Sequence, residues 1–280
     1  MQRNDSDDGE DRRARFAAEA REERPDLAEL CLLLCAEAEP GFGRDRMDAA
    51  EIELDRLAGL VPYGAKSPQD WARALERLLG GGHGFHGTPA DYRRLESSLL
   101  HQVLLRRRGL PITLSVVWME VARRAGAPVY GVALPGHFVV GFGDPTEQVL
   151  ADPFAGGRLL TGADTELLVA GATGEPLDPS VLLPADVLDI VLRILNNIRA
   201  WASARPEHSA VALWALELAL LLPAHPARLR YEKGRLLIQR GEFLAGAAEL
   251  DAYADVLDVV EPATAETLRS QARVARSRLN

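Results

Sequence analysis

Only one stretch of this 280-residue chain is written in the pattern of a sheet. "PVYGVAL", "HFVVGF" and "QVLAD" lie between residues 128 and 152, separated by Pro-Gly and Gly-Asp-Pro-Thr-Glu. Short Val-rich runs bounded by such turns read as strands joined in hairpins. Every other patterned stretch repeats its apolar residues at helical spacing. A small antiparallel sheet set among helices therefore fixes the class as α+β.

Ahead of the sheet, residues 13 to about 80 read as helices with short breaks. "DLAELCLLLCAEAEPGF" is stopped by Pro40-Gly41, and "RMDAAEIELDRLAGLV" places Met47, Ile52, Leu54, Leu57 and Leu60 at helical intervals. "SPQDWARALERLL" carries a helix start, with Ser67 as cap and Pro68 as first helical residue. The glycine-rich "GGGHGFHGTPADY" reads as a mobile loop that Phe85 packs down. "RLESSLLHQVLLRRRG" is helical up to Gly109. "LPITLSVVWMEVARRAG" then forms a helix, with Pro111 in its first turn and Gly126 at its end. "GGRLLTGADTELLVAGATG" reads as loop and short helix.

Beyond Pro184 the chain is helical throughout. Helices at 185–204, 208–222, 226–240 and 242–257, then 263–278, repeat with a period of about 35 residues, as stacked helical hairpins do. Gly234, Gly241 and the small residues Ala245 to Ala248 give the second pair a tetratricopeptide-like spacing; the first pair has Arg199 where Gly234 recurs. The expected organisation is residues 1–12 disordered, 13–184 a helical lead-in plus core, and 185–280 a helical-repeat tail.

Composition narrows the function. A net charge of −9 speaks against a nucleic-acid partner or an anionic membrane surface, which need clustered Lys and Arg. "AVALWALELALLL" is broken by Glu217 and stopped by Pro223, short of a membrane span. The opening "MQRNDSDDGEDRR" has no secretory pattern, so the cytoplasm is the expected compartment. Cys31 and Cys35, four apart on one helical face, suit neither a disulfide framework nor a metal site and read as inert buried thiols.

The chemistry concentrates in "PGHFVVGFGDPTEQVLADPF". If the hairpin is centred near Asp144-Pro145, His137 and Asp152 fall directly opposite, with Cβ atoms ~4.5–5.5 Å apart. A carboxylate at that distance fixes the imidazole tautomer and raises its basicity. The same pair serves equally as a buried polar contact, and both readings stand.

"RRRGLPITLSVVWMEVARRAGAPVYGVALPGHFVV" with "LADPFAGGRLL" resembles the transglutaminase-like (papain-like) core. Over residues 25 to 270 the chain is similar to a bacterial family, some of whose members carry an invasion-regulator label, that joins such a core to a tetratricopeptide-like tail. In active relatives a Gly-x-Cys opens a helix, a His follows on one strand and an Asp on the next. A helix N-terminus stabilises thiolate, the His moves its proton and the Asp holds the His. The resemblance lays Gly109, His137 and Asp152 on that pattern, and puts Pro111 at the cysteine. It also implies that proline there is usual in this bacterial family. Ser97 stands where relatives carry an asparagine, in "RLESS".

Thr113 and Ser115 are the alternative nucleophiles, Ser115 lying ~6 Å further along the helix axis. His83 and His86 lack further ligands for a metal, and no cofactor or phosphate-loop signature surrounds "ADPFAGGRLL". Arg158 meets either an anionic ligand or an acid such as Asp144, and Glu120 reads as solvent-facing. Three readings follow: a non-catalytic peptide- or protein-binding scaffold with a degenerate site, an amide or ester hydrolase or acyl transferase using Ser, Thr or activated water, and a purely structural His137–Asp152 pair.

Overall fold

The computed structural model describes residues 5–278. The first helix, α1, spans Asp5–Glu19, so it begins inside the segment expected to be disordered; residues 1–4 of that segment lie outside the described residues. Phe16 and Ala20, one turn apart, are fully buried and anchor this otherwise polar stretch.

Helix α2 (Leu27–Ala38) starts where the Asp26 carboxylate accepts the Glu29 N–H, and it buries nine of its residues. In α3 (Arg44–Gly59), Met47, Leu54 and Leu57 face the core as expected, but Ile52 and Leu60 are exposed. Helix α4 (Pro68–Leu75) opens on a reciprocal box between Ser67 and Asp70. Contrary to the expected loop, the chain then continues as a π-helical turn over Glu76–Gly82. A Cβ on Gly80 would stand 1.8 Å from the Gly156 carbonyl oxygen, so only glycine permits this approach.

Helix α5 (Leu100–Arg106) ends before Gly109, because Arg107 takes up the left-handed conformation at φ 59°. Helix α6 (Pro111–Arg124) follows, with proline at its first position and Gly126 at φ 86° beyond its end. Every residue from Pro111 to Ala122 is buried. A helix apolar on all sides belongs in the middle of a domain. It packs on α2 to α5 on one side and on the sheet on the other.

The sheet is an antiparallel meander of β1 (Val129–Val132), β2 (Val139–Phe142), β3 (Val149–Asp152) and β4 (Arg158–Leu160). The last strand lies where loop was expected. Gly156 and Gly157, both at positive φ, reverse the chain tightly enough for three residues to pair back on β3. Helix α7 (Gly162–Thr173) is boxed by Thr161 and Asp164.

The described residues form two compact units: Glu23–Ile194 with the N-terminal residues up to Arg12, and Arg13–Glu22 with Leu195 onward. The division falls within α8 (Val187–Ser203), later than the expected 184/185 boundary. Pro184 bridges Val132, and the Ala185 N–H donates to the Gly131 carbonyl, so this segment extends the edge of the sheet.

The second unit continues through α9 (Ser209–Leu221), α10 (Arg228–Gln239), α11 (Phe243–Leu257) and α12 (Pro262–Ser277). These match the helical hairpins read from the sequence. Gly234 and Gly246 explain one crossing: a Cβ on either would lie 2.9 or 2.7 Å from the other's carbonyl oxygen, so α10 and α11 touch backbone to backbone.

Candidate functional site

His137 sits in the turn before β2, its N–H donating to the Leu134 carbonyl at 3.2 Å. Asp152 closes β3, where its Oδ1 accepts the Phe154 N–H at 2.9 Å and caps the turn Pro153–Ala155. That same Oδ1 lies 3.0 Å from His137 Nε2. No hydrogen bond of ordinary geometry joins the two, so they meet as a close polar contact. Both side chains are largely buried, 13% and 8% exposed.

The cross-strand geometry differs from the one expected. The register pairs Val140 with Ala151 and Phe142 with Val149, and Asp152 pairs with Arg158 on β4. The hairpin is thus centred one residue later than Asp144-Pro145, and His137 precedes the paired residues. What it faces across the sheet end is Phe154, whose ring stands edge-on to the imidazole with centroids 6.0 Å apart. Asp152 reaches the imidazole from beside that ring.

Phe154 organises the surroundings. Tyr92, half-exposed, also packs on it in a T-shaped arrangement, with centroids 6.1 Å apart. A Cβ on Gly87 would fall 2.0 Å from two Phe154 ring carbons and 2.8 Å from the Gly109 carbonyl oxygen. Gly87 therefore fills the gap between Phe154 and the approach to α6, and its N–H donates to the Phe154 carbonyl at 2.9 Å. The stretch read as mobile is a packed strut. Phe85 is buried edge-on to Trp118.

Neither alternative nucleophile turns to the imidazole. Thr113 is buried; its hydroxyl donates to the Ser97 carbonyl at 2.6 Å and accepts the Leu110 N–H at 3.2 Å. Ser115, also buried, directs its hydroxyl at the Phe138 carbonyl at 3.4 Å. Pro111 offers no reactive atom. Ser97 is buried, and its Oγ has no hydrogen-bond partner among the described residues. Cys31 and Cys35 are buried in α2. Burial pushes both thiols up, Cys35 to about 12.

The remaining candidates are occupied elsewhere. His86 receives Arg108 Nη1 at 3.1 Å on Nε2 and faces the Gly84 carbonyl with Nδ1 at 2.8 Å. Burial lowers the His83 pKa, with Arg107 adding to the effect. Among the described residues no three His, Cys, Asp or Glu side chains gather as a metal site. Arg158 pairs with Asp164 at 3.1 Å, not with Asp144, whose carboxylate caps Thr146. Glu120 is buried, against the expectation of solvent, and is held by Arg123 and Arg124.

Two residues with no local signal join the site. Arg193, half-buried on α8, donates Nη2 to the carbonyls of Leu134 at 2.9 Å and His137 at 2.7 Å, clamping both ends of the histidine turn. It has no carboxylate partner among the described residues, and burial lowers its pKa. Tyr92 is raised by burial, opposed by the charge of Arg193 and reinforced by that of Asp152. The arrangement supplies an imidazole, an acid to orient it, an uncompensated cation and two aromatic rings. Among the described residues, neither α6 hydroxyl nor either thiol is directed at the imidazole.

Comparison with known proteins gives this arrangement a context. Residues 48–196 match the model of the Transglutaminase-like superfamily, and residues 198–280 that of the Tetratricopeptide repeat. The two matches meet within α8. A UPF0162 protein of Xylella fastidiosa is 35% identical over 188 residues, covering 64% of this chain and 66% of that protein. A UPF0162 protein of Pseudomonas aeruginosa is 36% identical over 193 residues, covering 66% and 68%. Human F-box only protein 21 is 25% identical over 154 residues, 52% of this chain and 24% of that one. The chain spans about two thirds of the length of the bacterial relatives. No helix among the described residues is long and apolar enough to cross a membrane.

Proposed function

Because the chain belongs to the transglutaminase-like superfamily yet opens its central helix with Pro111, we propose that it is a non-catalytic binding or scaffolding protein. Its core recognises a peptide or side chain, and its helical tail docks a protein partner. The observation that carries this reading is the fate of the two hydroxyls on α6. Thr113 and Ser115 point their hydroxyls at backbone carbonyls, so neither passes a proton to His137. Acyl transfer through a covalent intermediate needs a nucleophile within hydrogen-bond reach of its base. The His137–Asp152 contact is retained without that third member. Arg193 and Tyr92 beside it suit recognition, since a cation with no carboxylate partner favours an anionic group on the ligand.

A second reading rests on the retained pair itself. An imidazole beside a carboxylate can draw a proton from water, which makes His137 a general base for hydrolysis without any nucleophilic side chain. One experiment separates the two. The full chain and its His137→Ala variant are treated with a fluorophosphonate probe and assayed on a panel of amide and ester substrates. The binding reading expects no labelling and no turnover that depends on His137. Turnover lost in His137→Ala, with the fold retained, overturns it in favour of the general base.

A further inference from the structure

The second unit carries a groove of about 740 Å³ between α8, α9 and α10. Among the described residues four arginines line it, Arg199, Arg205, Arg228 and Arg240, against a single carboxylate, Glu232. In a chain of net charge −9 this is a local reversal of sign. Glu232 is shared between Arg199 and Arg228, while Arg240 pairs with Glu242 at 2.9 Å and donates Nη1 to Ser209 at 3.0 Å. The guanidinium of Arg205, exposed at the turn between α8 and α9, has no ion pair or hydrogen bond among the described residues. The groove's own acid is thus too little to neutralise it.

We propose that this groove binds an acidic peptide segment of a partner protein, with Asp or Glu side chains set around an aliphatic anchor. The proposal rests on the reading of the tail as a protein-docking element and adds the chemistry of what docks. Charge complementarity supplies the acid requirement: guanidinium forks bind carboxylates with charge-assisted, often bidentate hydrogen bonds. The apolar part of the lining, Ala212, Leu216 and Leu236, supplies the place for an aliphatic side chain. Among the described residues the lining has no aromatic side chain. Single-stranded nucleic acid is held by stacking on aromatic rings along a continuous basic track, so the surface favours a peptide over a polynucleotide.

The test uses the full chain. A displayed library of random dodecapeptides is selected on it, and the best peptide is labelled and titrated against wild type, Arg205→Glu, Arg228→Glu and His137→Ala. The expected result is enrichment of Asp and Glu around Leu, Ile or Val, with affinity at least tenfold weaker in each charge-reversal variant. The Arg205 guanidinium bonds to nothing among the described residues, its only bonds being main-chain ones to Ala202 and His208 that any side chain allows, so its reversal leaves the melting curve in place and isolates the groove. No enrichment, enrichment of basic or neutral sequences, or an affinity indifferent to both reversals overturns the proposal. So does a labelled oligo-uridylate that binds as tightly as the selected peptide. An acidic peptide lost in His137→Ala but kept in Arg205→Glu places docking on the core instead, which refutes the groove while leaving the binding role intact.

Discussion

Replacing Gly80 by alanine tests whether the glycine run before the site is packed or free. The added Cβ would sit 1.8 Å from the Gly156 carbonyl oxygen, 2.7 Å from its carbonyl carbon and 3.1 Å from its Cα. Carbon and oxygen ordinarily approach no closer than ~3.3 Å, so one backbone must move by about 1.5 Å. No rotamer change relieves it, since the obstacle is main chain. Gly156 is itself fixed at φ 72°, its N–H donating to Pro153 and the next N–H donating to Asp152. Overpacking costs about 1–3 kcal/mol, and this site, with backbone on both sides, belongs at the upper end. Alanine's gain over glycine in a helix returns at most ~1 kcal/mol. A net loss of about 2 kcal/mol lowers the melting temperature by roughly 4–8 °C for a unit of this size. Gly171→Ala is the matched control. Gly171 lies inside α7 with nothing within 4 Å of its Cβ position, so alanine there stabilises by about 0.5–1 kcal/mol. Thermal melts followed by circular dichroism read both. A Gly80→Ala variant melting at or above wild type refutes the packed strut and restores a mobile loop.

Two further outcomes follow from burial. Cys31 and Cys35 are buried with raised pKa values, so a thiol reagent at neutral pH modifies neither in the native chain and both after denaturation; native labelling at either would contradict their burial. His101 is buried beside Glu39, its Nε2 3.0 Å from the carboxylate, and burial lowers its pKa despite that neighbour. Folding therefore favours the neutral ring, and its contribution to stability is present above the unfolded value of 6.5 and is lost as pH falls through the lower folded value. His101→Gln is expected to flatten the stability-versus-pH curve below 6.5, read by denaturant titration; an unchanged slope refutes the assignment.

Much of this architecture is legible in the sequence because its signals are local. Ser67-Pro68, Pro111 and Gly126 mark helix ends through their own backbone preferences, and the tail's hairpins repeat apolar positions at helical spacing. The misreadings arise where distant contacts decide. "GGG" reads as a break because glycine weakens helices, whereas here it permits backbone contact with Gly156. Strand β4 is three residues long and forms only because β3 offers an edge. The hairpin register depended on where the turn was centred, and one residue of difference moved His137 from facing Asp152 to facing Phe154. Arg193 and Tyr92 reach the site from α8 and from the segment before α5. No spacing in the sequence announces such a meeting.

The relation between His137 and the start of α6 is most directly tested by returning a thiol to position 111. Position 111 is buried, so in Pro111→Cys the thiolate is followed against pH by its ultraviolet absorbance rather than by a reagent, alone and combined with His137→Ala, the two natural cysteines being held protonated by their raised pKa values. A thiol at a helix N-terminus and within reach of the imidazole titrates below the free value of about 8.5. The expected result is that depressed value in Pro111→Cys and its rise when His137 is also removed. A thiol that titrates at or above the free value, indifferent to His137, would show that the pair never addressed this position.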